Sequence, residues 1–253
     1  MKKLIFTTLS FLTIAGSLMA QDAFDVQSKV YKQALKNYDL QAATIALYNM
    51  QALKPERTDL NDSLALLYFA GERYAQAFLI GEEIVKADGK RNDMLELVAV
   101  SKQNLGMVKE ALADYEKLYS AEKSVFYLYQ MSTLQYQLKR YGECVASLDQ
   151  IIANPDADKQ KVNIRLQQGA QEVPMKAAAY NVKGICALEL NQEEAAKQNF
   201  NKAIELFPDF ALAKGNLEMV NKKKAAAAEK PAVGTPATTK SGTTTSTTPK
   251  KSN

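Results

Sequence analysis

The chain has 253 residues, of which 32 are Lys or Arg and 28 are Asp or Glu, so its formal net charge is +4. It contains no His, which excludes His general bases, Ser-His and Cys-His nucleophile pairs and His metal ligands. It also has no Gly-rich phosphate loop of the Walker type and no Cys-x-x-Cys motif. The composition therefore predicts a non-enzymatic protein with no metal site and no cofactor.

Residues 1–20 have the pattern of a secretory signal peptide. Two lysines precede an apolar run from Leu4 to Met19, and Ala20-Gln21 is a plausible cleavage point. The run is short and rich in hydroxyl groups for a membrane span, and no Cys follows it for a lipid anchor. We therefore expect a periplasmic protein that is exported through a cleavable signal, is not a lipoprotein and has no membrane span.

A small residue recurs along the rest of the chain and is usually followed four positions later by a large one. The first three intervals between these small residues are 34, 34 and 33 residues. The positions are Ala43, Ala77, Ala111, Cys144 and Ala196. A period of about 34 residues is typical of stacked helix-turn-helix units. It predicts an all-α solenoid, a class of fold that usually offers partners a long surface and rarely carries chemistry.

The last repeat shows the pattern most clearly. It has a small residue at Gly184, the run Ala196-x3-Phe200-x2-Ala203, and a closing Pro208. Together with Tyr180 these positions resemble the tetratricopeptide repeat (TPR), although Lys183 and Ala187 depart from its usual Leu and Tyr. Small residues are expected where two antiparallel helices approach most closely, and Pro cannot continue a helix.

Four more degenerate repeats precede this one in the same frame. The chain is divided into repeats near 24–57, 58–91, 92–124, 125–155 and 177–210, within a solenoid over 21–220. The predicted helices are 24–37, 40–53, 58–71, 74–87, 92–105, 108–121, 125–138, 141–153, 176–190 and 193–206, followed by a capping helix over 210–222. In that cap, Leu212, Leu217 and Val220 are expected to cover the open end of the fifth repeat.

Residues 156–175 interrupt the repeats. Val162, Ile164 and Leu166 alternate with polar residues, a turn with Gly follows, and a second short extended run ends near Pro174. The alternation predicts a β-hairpin near 160–173. A two-stranded hairpin is marginal by itself, so it packs either on its own helices or, by strand pairing, on a partner or a second copy.

The chain has two cysteines, Cys144 and Cys186, in a compartment that would permit disulfides. Cys144 occupies a small-residue position, and Cys186 lies two residues after Gly184 on the next first helix. The two could meet across the repeat boundary, but the inserted segment leaves their geometry open. Two buried free thiols are the favoured interpretation, so a disulfide is not expected.

Residues 223–253 are rich in Thr, Lys, Pro and Ala and are predicted to be a disordered tail. The segment 221–253 carries a formal charge of +6 and residues 1–20 carry +2, which leaves −4 for residues 21–220. An acidic body argues against nucleic acid as a partner. The basic tail could make weak contacts with anionic envelope polymers.

The resemblance to tetratricopeptide proteins implies that the first helix of each repeat lines a concave groove that binds a partner. Applied to this sequence, the groove-lining positions of those proteins give candidates in the second, third and fourth repeats. They are Asp62, Leu66, Phe69, Glu96, Val100, Gln103, Tyr129, Thr133 and Tyr136. Tyr rings suit peptide recognition, although these rings could equally pack within the solenoid. Asp62, Glu96 and Tyr129 stand where chaperone-tail binders of the family present a basic clamp, which disfavours a free carboxylate tail as the ligand.

The leading hypothesis is a periplasmic scaffold or adaptor that binds a protein, peptide or helix in its groove. The alternative is a structural module that self-associates or contacts the cell wall through the 160–173 hairpin and the basic tail. Asp62-Ser63-Leu64 also resembles the O-glycosylation acceptor of Bacteroidota envelope proteins, a triplet that occurs often by chance. The sequence predicts a secreted bacterial envelope protein but does not name its partner.

Overall fold

The structure, a computed structural model, describes residues 21–167 and 169–228, with side chains as far as 222. These residues form eleven α-helices, one short 3-10 helix (Pro155–Asp158) and two strands. The helices are α1 (21–36), α2 (Leu40–Leu53), α3 (Asp59–Ala70), α4 (Tyr74–Ala87), α5 (Asn92–Asn104), α6 (Val108–Glu122), α7 (Val125–Gln137), α8 (Tyr141–Ala153), α9 (Met175–Glu189), α10 (Glu193–Leu206) and α11 (Ala211–Ala228). The strands are β1 (Lys161–Arg165) and β2 (Ala170–Pro174).

The helices stack in chain order. Each packs mainly on the helix before it and the helix after it, so the fold is the predicted α-solenoid with five helix pairs and a cap. We call the first helix of each pair an A helix (α1, α3, α5, α7, α9) and the second a B helix (α2, α4, α6, α8, α10). The predicted signal peptide lies outside the described residues.

The small-residue positions are where A and B helices meet, as the sequence predicts. Ala43, Ala77, Ala111, Cys144 and Ala196 are all fully buried. In the fifth repeat a Cβ added to Gly184 would lie 2.5 Å from Cε1 of Phe200. In the second repeat Gly81 occupies the position where the pattern favours a large residue. A small residue is needed there because Val98 of the next repeat fills the space. A Cβ added to Gly81 would lie 2.7 Å from Cγ2 of Val98.

All five A-to-B turns use the same backbone device. A residue with positive φ stands at the equivalent position of each repeat: Tyr38, Glu72, Gly106, Lys139 and Asn191. The next backbone N–H donates back to a carbonyl five residues earlier, as from Arg140 to Gln135 at 2.9 Å. This closes each A helix with a Schellman-type turn. Only one of the five residues is Gly, so four turns hold a side chain in a disfavoured conformation.

The predicted hairpin is present and packs on its own solenoid. β1 and β2 pair antiparallel with Val162 opposite Val173, and both valines are buried in the core shared with α7, α8 and α9. The Gln171 side chain reaches the segment before α11, donating to the Asp209 carbonyl at 2.6 Å and accepting from the Ala211 N–H at 3.2 Å. The apolar side of the hairpin is thus covered within the chain.

The cap differs from the prediction in two respects. Phe210, Ala213 and Val220 are buried and Leu217 packs against the fifth repeat, whereas Leu212 is exposed. The expectation for Leu212 is wrong because the buried face recurs at steps of three and four residues, which place Leu212 off that face. Helix α11 also continues to Ala228, past the predicted start of the tail at 223, because Lys and Ala favour helix. Residues 229–253 lie outside the described part.

Candidate functional site: the A-helix face

The predicted groove residues lie at equivalent positions of three A helices. Asp62, Glu96 and Tyr129 are fifth in their repeats, Leu66, Val100 and Thr133 ninth, and Phe69, Gln103 and Tyr136 twelfth. The same positions of the fifth repeat hold Asn181, Ile185 and Leu188. Because equivalent helix positions share a face of a solenoid, these residues form three parallel rows. We call this surface the A-helix face.

The fifth-position row contains acidic groups that are tied to neighbours. Arg91, just before α5, donates to Asp62 at 2.8 Å and to Asp93 at 2.7 Å, linking the second repeat to the third. The hydroxyl of Tyr127 donates to Glu96 at 2.9 Å. Burial and this bond both raise the pKa of Tyr127 above its usual value. The row is therefore acidic and partly ordered before any partner arrives.

Tyr129 does not offer its ring to a partner. It is 8% exposed and belongs to the main core, which agrees with packing within the solenoid, one of the two roles that the sequence left open for these rings. Burial alone raises its pKa to about 12. Its ring lies in the apolar cluster that residues of α7, α8 and α9 share. Of the two tyrosines, only Tyr136 has substantial exposed surface.

The ninth-position row is the most apolar and the most open. Leu66 is 52% exposed, and Val100, Thr133 and Ile185 are half-buried. Met219, ninth when counted from 211, continues the row onto the cap and is 61% exposed. The row therefore has an exposed apolar side chain at each end and half-buried side chains between them.

The twelfth-position row carries aromatic contacts at the A-to-B turns. The rings of Phe69 and Tyr74 stand 5.8 Å apart, edge to face, and those of Tyr136 and Tyr141 are also 5.8 Å apart. Glu189 of the next repeat accepts from the Tyr136 hydroxyl at 3.4 Å and the Tyr141 hydroxyl at 3.2 Å. In the third repeat Tyr115 donates to Gln103 instead.

Three residues that position this face were missed by the sequence analysis: Arg91, Tyr141 and Glu189. All three lie in or next to turns, outside the helix positions that the repeat frame singles out. The signal for Tyr141 was its equivalence to Tyr74, since both residues open a B helix.

The opposite side of the A helices carries an ion cluster around two buried groups, Lys102 and Asp114. Lys102 of α5 donates to Asp114 of α6 at 2.7 Å and lies 2.7 Å from Glu82 of α4. Lys117 also donates to Asp114, at 2.9 Å. Burial by itself lowers the pKa of Lys102, but the bonds to Asp114 and Glu82 outweigh it, so the pKa lies above its usual value. The partners satisfy one another, which indicates a structural role.

The described residues contain no group of three or more side chains placed to hold a metal ion. Among the same residues, no helix combines the length and the apolar composition needed to cross a bilayer.

Comparison with known proteins places the fold among tetratricopeptide repeat solenoids. The family model for the tetratricopeptide repeat matches residues 177–210. The structure resembles YrrB, described as a TPR protein with an unusual peptide-binding site, with 15% identity, coverage of 77% of this chain and 88% of that chain, and a TM-score of 0.58. It also resembles MamA, with 11% identity, coverage of 85% and 100%, and a TM-score of 0.58.

At these identities the structural likeness shows the fold alone, and no curated protein sequence matches the chain. The family model identifies one tetratricopeptide repeat, over residues 177–210, and the described residues have the fold of a tetratricopeptide repeat solenoid. Tetratricopeptide repeat solenoids generally serve as surfaces for protein–protein interaction.

Proposed function

We propose that this protein is a scaffold that binds an extended peptide or a helix of a partner protein along its A-helix face. The observation that carries the proposal is the ninth-position row from Leu66 to Met219. The exposed Leu66 and Met219 and the half-buried Val100 and Ile185 offer a partner a way to bury apolar surface on a preformed, helix-supported platform. The structurally similar YrrB is described as having a peptide-binding site, which agrees with this use of the fold.

The electrostatics of the face favour a particular kind of ligand. Asp62, Asp93 and Glu96 line its first half, Arg91 is already paired with two of them, and residues 21–220 have a net charge of −4. A segment with apolar side chains and basic residues complements this surface, whereas a free carboxylate terminus meets like charge. We propose such a segment as the ligand.

We place the protein in the periplasm of a bacterium, as an adaptor in the cell envelope. The support for this location is the signal-like composition of residues 1–20. The alternative role, self-association or wall contact through the hairpin, has less support because the apolar side of the hairpin is already covered by its own helices.

Site-specific photo-crosslinking in the native cell tests the proposal. A photoreactive amino acid at Leu66 samples the A-helix face, and the same probe at Leu79 samples the B helix α4. The two leucines are matched controls because they are 52% and 57% exposed. We expect one or two recurring partners from position 66 and none of them from position 79. Equal capture at both positions, or capture only from a probe in the hairpin, would contradict it.

A second experiment tests whether capture of the partner depends on the apolar row. Leu66→Asp adds charge to the apolar row and should reduce recovery of the same partner from a probe at Tyr136. Leu79→Asp changes an equally exposed residue on the other helix layer and should leave recovery unchanged.

A further inference from the structure

The two cysteines of the chain meet at the junction between the fourth and fifth repeats. Cys144 lies on α8 and Cys186 on α9, 42 residues apart in sequence, and their Sγ atoms are 3.4 Å apart. Both residues are fully buried, and both thiols are free in the structure. The inserted hairpin therefore does not separate them, since α8 and α9 pack directly on each other.

The position of Cys144 makes the pairing specific. The equivalent residue is Ala in the other four repeats, so packing between A and B helices needs only a methyl group there. The thiol of Cys144 is the extra group, and it lies against the thiol of Cys186, the one other cysteine of the sequence. Cys186 Sγ donates to Cys144 Sγ, and this contact together with burial raises the pKa of Cys144.

We propose that Cys144 and Cys186 are a covalent modification site that closes to a disulfide and ties the fourth repeat to the fifth. The Sγ atoms must approach by little more than 1 Å to reach a bond of about 2 Å. The oxidant is a small-molecule or protein disulfide. One cysteine thiolate attacks it and releases a thiolate. The second cysteine thiolate then attacks the mixed disulfide and releases another. The chain loses two electrons and two protons, and the oxidant becomes two thiols.

Burial determines when this bond forms. With both thiols fully covered, an oxidant reaches them only before the repeats have packed or during opening of the α8–α9 junction. Once closed, the bond is shielded from reductants in the same way. It would hold the junction beneath Tyr136, Tyr141 and Glu189, whose hydrogen bonds span the same two repeats.

Oxidative refolding tests the proposal. The reduced, denatured full chain is refolded in a mixture of reduced and oxidised glutathione, quenched with acid and alkylated in denaturant. Intact mass and non-reducing electrophoresis then report the thiol state. We expect a monomer that has lost two hydrogens and takes up no alkylating agent. Two alkylated thiols, two glutathione adducts or a disulfide-linked dimer as the main product would overturn the proposal.

Stability provides a second readout. The oxidised chain should melt roughly 5–15 °C above the reduced chain, because the bond closes a loop of more than 40 residues in the unfolded state. Cys144→Ala is the matched control, since Ala is the native residue at this position elsewhere, and its melting temperature should not respond to oxidant. An oxidised chain that melts no higher than the reduced one would overturn the structural role of the bond.

Discussion

Lys102 Nζ lies 2.7 Å from Asp114 Oδ2, and both side chains are less than a tenth exposed. The pair occupies the eleventh and twenty-third positions of the third repeat. The same positions of the fourth repeat hold Gln135 and Ser147, which also bond to each other, at 2.9 Å. The same two positions of the repeat therefore hold a charged pair in the third repeat and a neutral pair in the fourth.

Asp114→Ala should destabilise the fold by about 1–3 kcal/mol, because it removes one of the two carboxylates that Lys102 contacts and leaves Glu82 as its partner. Lys102→Gln combined with Asp114→Ser copies the fourth repeat and should recover much of that loss. Urea unfolding followed by circular dichroism measures both. A double variant as unstable as Asp114→Ala would show that the charge itself is required.

Alkaline pH should destabilise the protein through its buried Tyr129. Burial raises the pKa of Tyr129 from 10.0 to about 12, so the folded state keeps a proton that the unfolded state releases. Its contribution to stability is therefore complete below pH 10 and is lost as the pH rises towards 12. Tyr129→Phe should flatten this decline. Thermal melts across this pH range measure the decline in stability, and tyrosinate absorbance follows the ionisation. If stability declined with pH as steeply in the variant, the decline would not be due to Tyr129.

Gly184→Ala should destabilise the fifth repeat by about 1–3 kcal/mol, since the added Cβ meets the Phe200 ring. Gly215→Ala is the matched control. Gly215 lies within α11 with nothing within 4 Å of an added Cβ, so Ala should stabilise by about 0.5–1 kcal/mol through helix propensity. Chemical unfolding compares the two, and the same sign for both would refute the close approach at Gly184.

Lys139→Gly should stabilise the protein by about 0.5–1 kcal/mol, because Lys139 sits at a φ of 58° that Gly adopts without strain. Gly106→Ala tests the same turn position in the opposite direction, at a φ of 75°, and should destabilise by about 1 kcal/mol. Differential scanning calorimetry resolves both shifts. A loss of stability in Lys139→Gly would mean that its side chain makes contacts that outweigh the strain.

The order and bounds of the helices could be predicted because the repeat frame transfers from one unit to the next. Four helices, among them α4 and α8, begin and end at the predicted residues. The exposure of side chains was harder to predict from the repeat frame. Tyr129 holds a groove position in the frame, yet it is buried in the main core. Burial of Lys102 was not predicted, because it depends on Asp114 and Glu82 in two other helices.

The hairpin could serve packing within the chain or binding of a partner, and a variant at Gln171 tests which of the two applies. Its side-chain oxygen accepts from the N–H of Ala211, so a residue of β2 caps the N-terminus of α11. Gln171→Ala should weaken docking of that helix by about 1 kcal/mol and raise hydrogen exchange of α11 amides.

Gln167→Ala is the control, because Gln167 is exposed in the hairpin turn. If the hairpin serves packing, only Gln171→Ala changes α11 protection, and partner capture from position 66 survives both variants. If β1 or β2 instead pairs with a strand of a partner, capture falls while α11 protection stays the same. Because the capping bond lies within the chain, we expect the first result.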